Sequence, residues 1–205
     1  MNYDREGLAL FAEDMAAVEN DTDYFVTSKI LAGTPRTWQS EIDYIKWRHQ
    51  VSVSLGMDAS SVYIIGSAKL GYSLNPEKKL KVFNEKASDQ NVSDLDVAIV
   101  SELHFEECWK VMREIENTFT KADRGYGRRT VFQQCIPVDR LIPHLPFGEL
   151  WGKSRDSIVR PLGERFQGLE LNFRIYRNSS ALRSYQLSGV RAIQTEVENL
   201  RLQGE

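Results

Sequence analysis

Two short runs of β-branched and aromatic residues constrain this chain most: Ser61-Val62-Tyr63-Ile64-Ile65, and Asp94-Leu95-Asp96-Val97-Ala98-Ile99-Val100. Both read as strands, and both are set among segments of helical period. Leu8, Phe11, Met15 and Val18 recur at spacings of three and four, which predicts an amphipathic helix over 3–19. Trp38, Ile42, Ile45, His49 and Val53 keep the same period behind Pro35, which predicts a second helix over 37–54. Further on, the pattern predicts a helix over 105–119, a weaker strand over 130–136, a helix over 147–158 and an alternating strand over 169–176. A last helix over 180–202 is capped by Asn178 or Ser179. Helices before and between a few strands exclude all-α and all-β architectures. They predict an α/β or α+β domain with a small mixed sheet flanked by helices.

The 205 residues, 41% apolar and 27% charged, suffice for one domain with a substantial core. No run approaches the ~20 apolar residues that span a bilayer, so no membrane partner is expected. The acidic, scattered charges of the first residues do not resemble a secretory signal. The two cysteines, Cys108 and Cys135, make no disulfide framework. A cytoplasmic location is the expectation. Residues 75–91, with Lys78, Lys79, Lys81 and Lys86, follow neither period and predict a long mobile loop.

The net charge of −3 conceals an asymmetry. Residues 1–102 hold 10 Lys and Arg against 16 Asp and Glu, whereas residues 103–205 hold 16 against 13. The excess in the second half is mostly arginine, the side chain best shaped for phosphate. A polyanionic ligand held by this half is one reading, and solvated surface charge is the other.

The chemistry is expected at Asp94 and Asp96. Side chains two apart on a strand share a face, so both carboxylates point one way while Leu95, Val97 and Ile99 take the other. Two adjacent carboxylates on a largely buried strand are costly unless neutralised, and a divalent cation with oxygen ligands is the usual remedy. Upstream, the first strand ends in Gly66-Ser67 and turns into a helical stretch. Glycine permits close backbone approach, and amides with a serine hydroxyl make an anion cradle, with Lys69 and Tyr72 in the first turns that follow. No Gly-Lys-Ser/Thr follows, so this is not a P-loop. No G-x-G-x-x-G dinucleotide fingerprint is present either.

Ile65-Gly66-Ser67 closing one strand, with Ser93-Asp94-Leu95-Asp96-Val97 on the next, resembles the active-site signature of the nucleotidyltransferases related to DNA polymerase beta. The likeness covers roughly residues 60–140. It implies a nucleotidyltransferase-like core over 59–145, an N-terminal helical region (1–58) packed on it, and a C-terminal helix-strand-helix extension of the same domain (146–205). Gly66 and Ser67, with Lys69 and Tyr72 beside them, would hold a nucleoside triphosphate, and Asp94 and Asp96 would bind Mg²⁺ or Mn²⁺. The implied activity is that of an enzyme, a nucleotidyltransferase. It passes a nucleoside monophosphate, most simply from ATP, to a hydroxyl of an RNA end, a nucleotide or a protein, and releases pyrophosphate. The family's third carboxylate does not declare itself. Asp139 is the first candidate and Glu170 the second, while Asn172 shares a strand face with Glu170. An asparagine at the acidic position implies the alternative: a nucleotide-binding regulatory, toxin–antitoxin or defence component with weak or no turnover.

The remaining candidates are structural expectations. His49 reads as a core histidine, His104 and His144 lack a metal spacing with the cysteines, and neither cysteine is activated by a visible neighbour. Trp38, Trp47, Trp109 and Trp151 read as core. Arg174 and Arg177 fall on opposite sides of the last strand, so at least one of them is expected to face the cleft and meet phosphate. On the last helix, Leu182, Gln186, Val190, Ile193, Val197 and Leu200 form a seam. That seam either packs on the domain's own core or pairs with a second copy or a partner helix.

Overall fold

The computed structural model describes residues 3–84, 93–115, 125, 127–128, 131–162, 166 and 169–203. The chain opens with α1 (Arg5–Ala16), whose first turn is capped by the Asp4 carboxylate accepting from the amides of Glu6 and Gly7. Helix α2 (Thr22–Phe25) runs directly into a π-helical turn, Val26–Leu31. Ser40 caps α3 (Glu41–Leu55). Strand β1 (Val62–Ile65) leads without a loop into α4 (Gly66–Leu70). There follow β2 (Leu95–Val100), α5 (Glu102–Glu114), β3 (Cys135–Pro137), α6 (Gly148–Val159), β4 (Leu171–Tyr176) and α7 (Ser179–Gln203). Asn178, the first of the two expected caps, accepts from the amide of Ala181 at 2.8 Å.

The strands form one mixed sheet of order β1-β2-β4-β3. β1 runs antiparallel to β2, β2 parallel to β4, and β4 antiparallel to β3. A parallel pair needs a long crossover, and α5, β3 and α6 all lie between β2 and β4 in sequence. The strand drawn from residues 171–176 therefore sits at the centre of the sheet, so the sheet is not complete within 59–145. The mixed α+β class holds, with seven helices and four strands among the described residues.

Both faces of the sheet are covered, which is why the strands read as near-continuous apolar runs. One face, with Val62, Ile64, Leu95, Val97, Ile99, Phe173 and Ile175, packs on α3, α5 and α6 through Tyr44, Trp47, Phe105, Cys108, Trp151 and Ile158. The other, with Ile65, Ala98, Cys135 and Tyr176, packs on α1, the π-helical turn and α7. Trp38 and Trp109 join the first cluster as partly buried neighbours. No helix among the described residues is long and apolar enough to cross a membrane.

Helix α3 buries the side opposite to the one its spacing predicts. Ile42, Ile45 and Val53 are 64%, 54% and 66% exposed and His49 is exposed, while Tyr44, Trp47, Val51 and Leu55 face the core. The helix offers two apolar stripes about 200° apart. The stripe with the larger aromatic area wins, and its polar tips find partners. Trp47 Nε1 donates to the Ile158 carbonyl at 2.9 Å, and the Tyr44 hydroxyl accepts from the Ile64 amide at 3.5 Å. His49 is thus not a core histidine.

The Lys-rich stretch is packed as far as residue 84, and residues 85–92 lie outside the described residues. Pro76–Lys78 forms a 3₁₀ turn, Leu80 is fully buried, and Asp4 grips the segment at two points. Its amide donates to the Lys79 carbonyl at 3.1 Å and its carboxylate accepts from the Val82 amide at 3.3 Å. The weak strand over 130–136 is reduced to Cys135–Pro137, with Val131 and Phe132 helical.

The seam of α7 belongs to the chain's own core. Leu182, Gln186, Val190, Ile193 and Val197 are all buried, the apolar ones against Phe11, Met15, Phe25 and Ile30. The side chain of Leu200 lies outside the described residues. Because the seam is already covered, Val197→Asp should destabilise the monomer by about 2–3 kcal/mol as a carboxylate is forced into this contact. Thermal melting reads the loss directly. An unchanged melt with altered light scattering would place the seam at an interface instead.

Candidate active site

Alternation along β2 sends Leu95, Val97 and Ile99 into the α3/α5/α6 core and leaves Asp96 on the other face. In register, Asp96 faces Ile65 on β1 and Asn172 on β4. The residue after Ile65 is Gly66, at φ +67°, and a Cβ built on it would lie 3.0 Å from Asp96 Oδ2. The glycine turn and the second aspartate are therefore close neighbours. Ser67 follows in the first turn of α4 and is partly exposed. With five residues, α4 is too short to contribute much of a helix dipole. Any anion here must be held by individual amides, the serine hydroxyl and side-chain charge.

Asp96 is not free. Arg174 on β4 donates Nε–H to Asp96 Oδ1 at 3.2 Å, and the two side chains are 27% and 21% exposed. Burial pushes the Asp96 carboxyl above the usual carboxylate range. Arg174 pulls it back, the adjacent Asp94 adds to the rise, and Lys78 on the 3₁₀ turn opposes it. Asp94 is partly exposed at the mouth of the strand. Glu170, the second candidate for a third acid, is exposed just before β4, and its carbonyl accepts the Leu95 amide at 2.8 Å. Among the described residues, no group of three or more His, Cys, Asp or Glu side chains is placed to hold a metal.

The other candidates lie elsewhere. Asp139 accepts from the Phe173 amide at 3.3 Å and forms an ion pair with Arg155 of α6. The Arg155 guanidinium lies 5.5 Å over the Phe173 ring. Phe173 alternates with Asn172 and Arg174, so Asp139 is tied to the face of the sheet away from Asp96 and is not beside the aspartate pair.

Lys69 is buried, and its Nζ donates to the carbonyls of Ala32 and Gly33 at 2.6 and 2.7 Å. Burial lowers its pKa to about 8. It closes the turn after the π-helix onto α4, with its ammonium engaged by those two carbonyls. Tyr72 is fully buried and donates to Asp14 Oδ2 at 2.9 Å. Burial, with Asp14 beside it, keeps this hydroxyl protonated. Lys69 and Tyr72 thus face the interior, and of the expected site residues Gly66, Ser67, Asp94 and Asp96 lie at one end of the sheet.

Sequence reasoning placed an arginine of β4 near the cleft without seeing its partner. The β2/β4 register makes Arg174 the second neighbour of Asp96, whereas Arg177 pairs with Glu102 and Glu106 of α5. Cys108 and Cys135 are buried, and burial pushes their thiols up to about 12 and about 11. His104 accepts or donates at Nδ1 to Ser101 Oγ at 2.8 Å and stacks on Trp151, while His144 is exposed. No family model matches this chain, and no curated protein or solved structure matches it either.

Proposed function

We propose that the Gly66-Ser67 turn and the Asp94/Asp96 pair form a nucleoside-triphosphate site of the nucleotidyltransferase kind. The reaction is attack by an acceptor hydroxyl on the α-phosphate, with pyrophosphate leaving. The observation that carries this reading is the closeness of the Gly66 turn to the Asp96 carboxylate, so tight that a Cβ added at Gly66 would lie 3.0 Å from Oδ2. It supports a turn that accepts an anion beside paired carboxylates.

The donor set fits a divalent cation in chemistry, since carboxylate oxygens on one strand face suit Mg²⁺ shared with phosphates. Asp94 and Asp96 are the residues that would hold it. When bound, the ion would neutralise charge on the phosphates and lower the cost of forming the alkoxide. The chain's own contribution is positional. The turn holds the triphosphate, Ser67 donates one hydrogen bond, and Lys78 adds positive potential.

The test is incubation of the protein with each labelled ATP, GTP, CTP or UTP in Mg²⁺ or Mn²⁺, reading transfer and pyrophosphate release, with RNA, nucleotide or protein as acceptor. Ser67→Ala should weaken triphosphate binding about tenfold, the worth of one hydrogen bond of ~1–2 kcal/mol, with the fold intact. An unchanged Kd removes Ser67 from the site. Turnover surviving Asp94→Ala/Asp96→Ala removes the reading.

One observation favours a second reading. Asn172 stands opposite Asp96, and Arg174 already neutralises that carboxylate. A component that binds nucleotide without turnover, as in a regulatory or toxin–antitoxin role, would show triphosphate-dependent thermal stabilisation and no pyrophosphate release.

A further inference from the structure

The face that carries Asp96 also carries its own cation. Along β4 the residues beside Asp96 are Asn172, directly opposite, and Arg174, whose Nε–H reaches Oδ1 at 3.2 Å. The bond runs from Nε to a single oxygen, not through the two-pronged fork that makes arginine–carboxylate pairs strongest. Both side chains keep about a quarter of their surface exposed, at the end of the sheet where Gly66 turns. The guanidinium is therefore within reach of solvent, and its bond to Asp96 is single, with Tyr176, Tyr185 and Cys135 as its other neighbours.

The charges balance without any ligand. Asp94 and Asp96 supply two negative charges, Arg174 supplies one positive, and Lys78 acts on Asp96 from the Pro76–Lys78 turn. A divalent cation arriving alone would meet a carboxylate already paired. An anionic phosphate arriving with it offers the guanidinium a better acceptor, since phosphate oxygens accept bidentate arginine bonds.

We propose that Arg174 couples nucleotide to metal at this site: it holds Asp96 in the nucleotide-free protein and transfers to a phosphate oxygen of the bound triphosphate, freeing Asp96 for a divalent cation. The proposal rests on the nucleotide-site reading above and adds an order to it. Metal and nucleotide load together, and metal alone binds weakly.

The test uses two binding measurements on the whole chain, neither of them turnover. Mn²⁺ binding is followed by electron paramagnetic resonance without nucleotide, and binding of a non-hydrolysable triphosphate is followed in chelator. Arg174→Gln should bind Mn²⁺ about tenfold more tightly than wild type and the metal-free triphosphate about tenfold more weakly. A residue that only holds the fold together would weaken both. Unchanged or weaker Mn²⁺ binding, including none at all, overturns the proposal, and so does unchanged triphosphate binding.

Asn172→Asp keeps Arg174 and adds a competing carboxylate opposite Asp96. It should also tighten Mn²⁺ binding, and it carries the test if Arg174→Gln does not fold. If Mn²⁺ bound by Arg174→Gln is indifferent to a further Asp96→Asn change, the metal is elsewhere, and the nucleotide-site reading fails instead.

Discussion

Replacing Asp14 by alanine should cost about 2–4 kcal/mol of stability, a large loss for a single polar substitution. Asp14 lies in α1, and its carboxylate is 3% exposed. It accepts from Arg36 Nη2 at 2.9 Å through Oδ1 and from the Tyr72 hydroxyl at 2.9 Å through Oδ2, with Lys29 Nζ at 3.1 Å from Oδ1. These three partners come from the π-helical turn, the segment before α3 and the segment after α4. One carboxylate thus ties the N-terminal region to the strand–turn that presents Gly66 and Ser67. In Asp14→Ala the Tyr72 hydroxyl stays fully buried without its acceptor, which alone costs about 1–3 kcal/mol. Lys29 and Arg36, about a third exposed, recover part of their hydration. Asp14→Asn keeps an acceptor for Tyr72 and loses the charge, so its deficit should be about half as large. Urea unfolding of both variants checks the ranking. Equal deficits would mean that charge, not the tyrosine bond, dominates, and a loss below ~1 kcal/mol in Asp14→Ala would dismiss the network as a stabilising element.

What was legible in the sequence is what local pattern encodes. Helices α1, α5, α6 and α7 and strands β1, β2 and β4 fall where period and β-branched runs place them, because each presents a stripe or a run that must be buried. The face of α3 was not legible. Ile42, Ile45 and Val53 carry the regular spacing, but burial follows Tyr44 and Trp47, whose ring area and polar tips are matched by Ile158 and Ile64 far along the chain.

The candidate site divides the same way. Gly66 and Asp96 are adjacent because β1 and β2 pair, which two neighbouring strands suggest. The surroundings of Asp96 depend on β4, which joins the sheet from far downstream beside β2, not beside β3 alone. No local pattern reports that register, so the sequence points to Asp139 as a partner and does not reveal Arg174 as one. Lys69 and Tyr72 turn inward for a related reason. Lys69 lies in a single-turn helix covered by Ala32 and Gly33, and Tyr72, just beyond it, is covered by Asp14.

Gly66→Val should abolish triphosphate binding to beyond ~100-fold, and a second glycine in the same backbone conformation separates the reason. Gly66 and Gly56 both have φ +67°, the left-handed region that costs a side-chain-bearing residue about 1–2 kcal/mol. At Gly56, the C-cap of α3, an added Cβ would meet only Leu150 Cδ2 at 3.9 Å, an ordinary contact. At Gly66 it would meet Asp96 Oδ2 at 3.0 Å, tighter than a Cβ normally comes, and the γ-methyls of valine would press further on that carboxylate. The Asp96 backbone is fixed in register with Ile65 and Asn172, so a displaced carboxylate must swing on its side chain and away from Arg174. Gly56→Val and Gly66→Val should therefore both lose stability from backbone strain, about 1–2 kcal/mol, and only Gly66→Val should lose the ligand. Isothermal titration with a non-hydrolysable triphosphate, alongside thermal melts, distinguishes the outcomes. Loss of binding in both variants would make the effect one of general destabilisation. Retention of binding in Gly66→Val would separate the turn from the carboxylates and with it remove the contact on which the nucleotide site is argued.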